Sequence, residues 1–500
     1  MGAKAIMIQG TMSGAGKSLL VAGLCRVLAQ DGMRVAPFKS QNMALNSAIT
    51  REGLEMGRAQ AMQAEAAGIE PLAAMNPILL KPTSDTGSQV IVCGKPVATM
   101  PAREYFAFKR TLKDRIMSAY RELANEFDVI VIEGAGSPVE LNLKRDDIVN
   151  MGMAKMASSP VMLVGDIDRG GVFAQLVGTM ALLDEDERAM VKATVVNKFR
   201  GDPTLFDEGL EILQTKCGVP VAGLIPYLDV DLDDEDSMSE RLGQRQCGAL
   251  LDVAVIRLPK ISNFTDFIAL DAMDGVSVRY VGSASELGVP DLLIIPGTKA
   301  TMADLSWLRS RGLDISVRRL AEAGVPVMGI CGGYQMLGEQ ILDPLGVEGG
   351  GQVEGLGLLP VRTEFGQQKR TVLVEGAFDE VSGPLSSLSG QPVRGYEIHM
   401  GHTEVLGRPL VSIADGGGQR TCDGCQEGSV YGCYLHGLFD RPEVTRAVMG
   451  ALLARKGLDA ASVQAIDMVA YRQQQYDILA DGIRAHMDMR LVHRIIEEGL

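Results

Sequence analysis

AIMIQGTMSGAGKSLL, residues 5–20, decides how the first half of the chain is read. An apolar run from Ala5 to Ile8 meets a glycine-rich loop, and a helix-like stretch opens at Lys17 and Ser18. Strand, glycine loop and helix start, in that order, place backbone N–H groups around a phosphate. In such a loop Gly14 and Gly16 make the turns, Lys17 reaches the β- and γ-phosphates, and the Ser18 hydroxyl ligates Mg2+. Counted from Gly10, the spacing to the Gly-Lys pair is one residue longer than usual. The plainer alternative is an incidental Gly-Lys-Ser in a turn. The flanking strand and helix argue against it.

Outward from this loop, short apolar runs alternate with helical stretches. Strands are expected at Ala5–Ile8, Arg34–Phe38, Val129–Ile132, Val161–Val164, Thr194–Asn197 and Val221–Ile225. This alternation predicts a parallel sheet with covering helices. A carboxylate at the carboxyl end of a parallel strand faces the ligand crevice, which makes Glu133 a second metal ligand. Asn197 ends another strand and is a candidate contact to the nucleotide base. Lys39 ends a third.

The acidic run YLDVDLDDEDSMSE, residues 227–240, reads as a boundary. Strands at Val253–Leu258, Val276–Tyr280, Leu292–Ile295 and Val325–Ile330 follow, with Ala303–Ala323 mostly helical. The expected division is a P-loop domain over 1–230, an acidic linker over 231–250, a second α/β domain over 251–445 and a helical tail over 446–500.

Bulk composition sets limits on function. Five hundred residues, 46% hydrophobic and 22% charged, suit a soluble multidomain chain. A net charge of −15 disfavours nonspecific nucleic-acid binding. No segment is long and apolar enough for a membrane helix. Eight scattered cysteines without an export signal predict a reducing cytoplasm. The sequence leaves a homo-oligomer open.

VPVMGICGGYQML, residues 325–337, carries the second chemistry. A strand stops at Cys331 and small residues flank it, the pattern of a nucleophile elbow. A thiol at a helix start gains from the helix dipole. The Gly332 N–H is a candidate oxyanion-hole donor, with Gly297 of IIPGTKAT (294–301) as the second. Cysteine catalysis needs a base. His436 ends the strand SVYGCYL and is the first candidate; His399 is the second. Cys422, Cys425, Cys433 and His436 outline a rival zinc site. Cys433 and His436 fall three apart on a strand and point to opposite faces, which weakens it.

GICGGYQML (329–337) with YLHGLFD (434–440) resembles the class I glutamine amidotransferases in their cobalamin-synthesis branch. The first half resembles the dethiobiotin-synthetase-like P-loop fold. Further stretches extend the likeness: PFKSQNMALNS (37–47), NPILLKPTSDTGSQVIV (76–92), DIVNMGMA (147–154), GDIDRGGVFA (165–174), NKFRGD (197–202), ISNFTDF (261–267) and GYEIHMG (395–401). Together they resemble the cobyric acid synthase family. The cobyrinic acid a,c-diamide synthases share the architecture and are the alternative.

The resemblance implies an α/β fold with a P-loop parallel-sheet domain followed by an amidotransferase domain. It implies glutamine hydrolysis at Cys331 with His436 as base. ATP and Mg2+ would be bound by Gly16, Lys17, Ser18 and Glu133. The b, d, e and g carboxylates of adenosylcobyrinic acid a,c-diamide would become amides, giving adenosylcobyric acid. Many amidotransferases of this class carry a Glu two residues after the His. Leu438 stands there, so the group that orients His436 is unassigned. A polycarboxylate acceptor also calls for local cations. Lys39, Lys81, Arg169 and Arg200 are the candidates.

Overall fold

The computed structural model describes residues 2–83, 87–232 and 248–500. Two compact units emerge. The first joins residues up to 236 with Arg472–Leu500, and the second covers residues 237–471. Most of the expected linker, 233–247, lies outside the described residues.

The first unit is built on six parallel strands: β1 (Lys4–Gly10), β2 (Val35–Phe38), β3 (Val129–Glu133), β4 (Val161–Asp166), β5 (Val191–Phe199) and β6 (Val221–Pro226). Their order is β6-β5-β4-β1-β3-β2. β2, β3 and β4 are buried along their whole length, as strands covered on both faces must be. The chain leaves β1 toward β2 on one side and later returns to β4 on the other. β1 therefore sits at the switch point, where a crevice opens beyond the strand ends.

Helix α1 (Lys17–Gln30) is buried on nearly every side. One face covers the sheet. The other is covered by the end of the chain, where Leu479, Ile483, Val492, Ile495 and Ile496 join the same core as Leu20, Leu24 and Leu28. Gly23 permits this approach, because a Cβ there would lie 2.1 Å from Ile483 Cδ1. The tail is therefore not one element. Pro442–Arg455 belongs to the second unit, and Arg472–Leu500 belongs to the first.

A four-stranded sheet that the alternation did not predict follows β2. Gln41–Met43, Ile78–Pro82, Gly87–Val92 and Lys95–Pro101 make it. Buried Lys81, ion-paired to buried Glu55 at 2.9 Å, disguises its apolar pattern.

The second unit carries β7 (Leu251–Ile256), β8 (Val276–Val281), β9 (Leu292–Ile295), β10 (Val327–Ile330) and β11 (Val430–Cys433). The parallel order is β8-β7-β9-β10-β11, with Cys425–Glu427 antiparallel at the edge. A separate sheet centres on the antiparallel pair Val361–Phe378 and Pro392–Val405. The helical stretch expected at 303–323 is two helices, Thr301–Ser310 and Leu313–Glu322, divided at Gly312 with φ +67°. No helix among the described residues is long and apolar enough to cross a membrane.

Candidate active site

Topology alone brings the second-unit residues together. β10 and β11 are neighbours in register, Ile330 beside Cys433. Cys331 and His436 therefore leave adjacent strand ends. β9 lies on the other side of β10 and supplies the Gly297–Thr298 loop. β7 supplies the segment that contains Asp266.

Cys331 has φ 52° and ψ −110°, a conformation that costs a non-glycine residue energy and marks a held corner. Close packing fixes it. A Cβ on Gly333 would lie 1.9 Å from Ile295 O, and one on Gly329 2.8 Å from Gly333 O. The elbow glycines are thus needed because backbone meets backbone. The thiol lies 3.7 Å from Ile398 O and is also hydrogen-bonded to the His436 side chain.

His436 is fully buried, and its Nδ1 lies 2.7 Å from Asp266 Oδ2. The other oxygen, Asp266 Oδ1, accepts the Gly437 N–H at 3.0 Å. The imidazole stacks on Tyr396 at 5.2 Å between centroids, and the Asn263 amide donates to the Tyr396 hydroxyl. Burial alone would lower the His436 pKa. The charge and hydrogen bond of Asp266, then contact with Cys331, outweigh burial and push it up to about 10. Sequence reasoning left this orienting group open. Asp266 fills it from 170 residues upstream.

The oxyanion candidates converge on the same corner. A Cβ on Gly297 would lie 3.0 Å from His436 Cε1, and one on Gly332 3.1 Å from Thr298 N. His399, the alternative base, points elsewhere. Its Nδ1 lies 2.7 Å from Gly401 O, its ring stacks on Tyr434, and burial pulls its pKa down to about 3. The stretch 395–401, whose purpose the sequence did not reveal, supplies both Tyr396 and Ile398 to the site. Among the described residues no His, Cys, Asp and Glu cluster is arranged to hold a metal, and Cys422 is exposed. The rival zinc grouping is therefore absent there.

In the first unit, Gly14 (φ +73°) and Gly16 (φ +84°) take left-handed turns that favour glycine. Lys17 Nζ donates to Met12 O at 3.0 Å and lies 3.5 Å from Gly136 O. Ser18 Oγ donates to Glu133 Oε1 at 2.8 Å. Lys39 Nζ reaches the same oxygen at 2.9 Å, and Gln63 and Gln60 donate to Oε2. Burial would raise the Glu133 pKa, but the Lys39 charge and the hydrogen bonds from Gln63, Lys39 and Ser18 hold it below the usual range. Asn197 donates to Ala15 O at 2.9 Å, so its amide braces the phosphate loop from beneath. Lys198 does the same at Gly14 O, 2.7 Å away.

Of the cations expected to meet an acidic acceptor, Lys39 and Lys81 are committed to Glu133 and Glu55. Arg200 pairs with Asp168 and lies over the Tyr227 ring, and Arg169 lies 3.9 Å from Asp166.

Residues 6–238 match the family described as the CobQ/CobB/MinD/ParA nucleotide binding domain. Residues 252–444 match the CobB/CobQ-like glutamine amidotransferase domain. Full-length relatives go further. A cobyric acid synthase of Ruminiclostridium cellulolyticum is 54% identical over all of this chain and 98% of its own length. Those of Lachnoclostridium phytofermentans and Photorhabdus laumondii are each 52% identical. They cover 100% and 98% of this chain, and the same shares of their own lengths. The chain belongs to the cobyric acid synthase family. Like other members, it is a glutamine-dependent ligase with a nucleotide-binding domain ahead of an amidotransferase domain.

Proposed function

We propose that the chain amidates the b, d, e and g carboxylates of adenosylcobyrinic acid a,c-diamide, in the cytoplasm, using ATP and glutamine. The observation that carries this reading is the Asp266–His436–Cys331 series, hydrogen-bonded and sealed at a strand-end corner. Cys331 attacks the glutamine amide carbon, and the oxyanion formed meets the Gly332 and Gly297 region. His436, oriented by Asp266, takes the thiol proton as Cys331 attacks and gives it to the departing ammonia. Water then releases glutamate from the thioester.

Ammonia does not displace oxide from a carboxylate. In the first unit the carboxylate oxygen attacks the γ-phosphorus of ATP, forming an acyl phosphate and releasing ADP. Ammonia adds to its carbonyl and expels phosphate. The Lys17 ammonium and the N–H groups of the phosphate loop balance the charge that moves onto the β-phosphate. Adjacent oxygens of Ser18 and Glu133 are the hard donors that Mg2+ takes, so the donor set fits that ion. Bound there, Mg2+ supplies further charge neutralisation at the phosphates.

The test is product mass after incubation of the diamide with ATP, Mg2+ and glutamine. Gain of four amides supports the reading. Turnover of cobyrinic acid to its diamide, with none on the diamide itself, would assign the chain to the alternative synthase.

A further inference from the structure

An open cleft of about 270 Å³ lies beside the phosphate loop, wholly within the first unit. Its wall continues the strand ends that carry the nucleotide residues. Gln41 and Met43 follow Lys39, while Ala135, Ser137 and Pro138 follow Glu133. Gly136, between two of these, has its carbonyl 3.5 Å from Lys17 Nζ. The lining is mainly apolar, and Met43, Phe106 and Leu143 stay exposed at 59%, 39% and 42%. An exposed apolar concavity of this kind suits the apolar edge of a ligand whose remainder stays outside it.

Charge on this wall is distributed unevenly. Lys144 is paired with Asp184 and Glu187, both at 2.7 Å. Asp147 accepts backbone N–H groups from Val149, Asn150 and Gly152. Glu140 is exposed at the rim. Lys109 differs from all three: its stem is buried, its ammonium lies at the cleft wall, and among the described residues no hydrogen bond or ion pair holds it. Its neighbour is the Phe106 ring, 4.8 Å away. Burial lowers its pKa, and the more distant Asp147 and Asp146 offset this only in part. An ammonium at an apolar wall with no anion of its own is poised to take one from outside.

We infer that this cleft seats the acceptor and that Lys109 holds one of its carboxylates, beside the phosphate that will activate another. The inference rests on the reading of the acceptor as a corrinoid polycarboxylate and assigns that reading a site. Lys109 is thus a binding residue that the sequence did not single out.

The measurement is the dissociation constant of adenosylcobyrinic acid a,c-diamide, read by its visible absorbance, on the full chain. Lys109→Met should weaken it about tenfold or more, and Lys109→Arg should restore most of the affinity. Substrate should also lose its advantage over the amidated product in Lys109→Met. Leu143→Glu, at an exposed position that leaves folding intact, should weaken the diamide by repulsion, and Leu143→Lys should not. If both Lys109→Met and Leu143→Glu bind as wild type does, the cleft is not the acceptor site, although the proposed reaction stands. If wild type neither binds nor amidates the diamide, the reaction itself is misassigned, and this inference falls with it.

Discussion

Asp266 uses both carboxylate oxygens, one on His436 Nδ1 and one on the Gly437 N–H. That double use fixes the ring's tilt and its tautomer together. In Asp266→Asn the Oδ1 atom could still accept Gly437, but the amide NH2 would then face His436 Nδ1. The imidazole would have to present a lone pair there and place its proton toward Cys331, the wrong tautomer for a base. Glutamine-dependent amidation should fall by about 10²–10⁴. Amidation supported by added ammonium chloride should persist, because that route bypasses the thiol. Measuring both rates on one preparation separates a lost orienter from a lost fold. Asp266 was hard to see in sequence for a physical reason. An Asp inside the short helical turn Phe264–Phe267 has ordinary local uses, and nothing local links it to a histidine 170 residues away.

At the scale of elements, the corner depends on how closely Gly332–Leu337 approaches the end of β9. Backbone at Ile295 and Pro296 surrounds Gly333, leaving no flexible side chain to yield. Gly333→Ala should therefore destabilise the second unit by about 1–3 kcal/mol and move Cys331 out of line. Thermal unfolding should show a lowered transition, and glutaminase activity should be lost, while ammonia-dependent amidation continues at temperatures below that transition. Elements of this kind were legible because parallel strands are buried on both faces and read as plain apolar runs. Glu133 at a strand end, Cys331 and His436 just beyond theirs, and Lys17 at the start of α1 were legible with them. The sheet over 41–101 was not, because its strands are short and Pro-containing, and one of them carries Lys81, buried against Glu55 of a neighbouring segment. Nor was the split tail, since an amphipathic helix does not announce which sheet it will cover. Gly23 on α1 was its one local trace.

For the whole molecule, two units with separate chemistry predict two separable losses. Cys331→Ala should abolish glutamine-dependent amidation and spare the ammonia-dependent reaction. Lys17→Ala should abolish both, since neither proceeds without the acyl phosphate. The units should also part under pH. The folded His436 pKa, about 10, lies above its ordinary 6.5. Its contribution to stability is full below about pH 6.5 and is lost as pH rises toward 10. Glu133 runs the other way. Its folded pKa lies below the ordinary 4.5, so its contribution is present above that value and is lost as pH falls through the folded pKa. Alkaline titration should loosen the second unit first, and acid titration the first. Hydrogen exchange at pH 6.5 and after brief exposure to pH 9.5 should show protection lost around residues 262–266 and 434–437 while α1 stays protected. Asp266→Asn removes the main cause of the raised pKa, so the alkaline loss should shrink in that variant. An alkaline transition of unchanged size would mean that another group controls it.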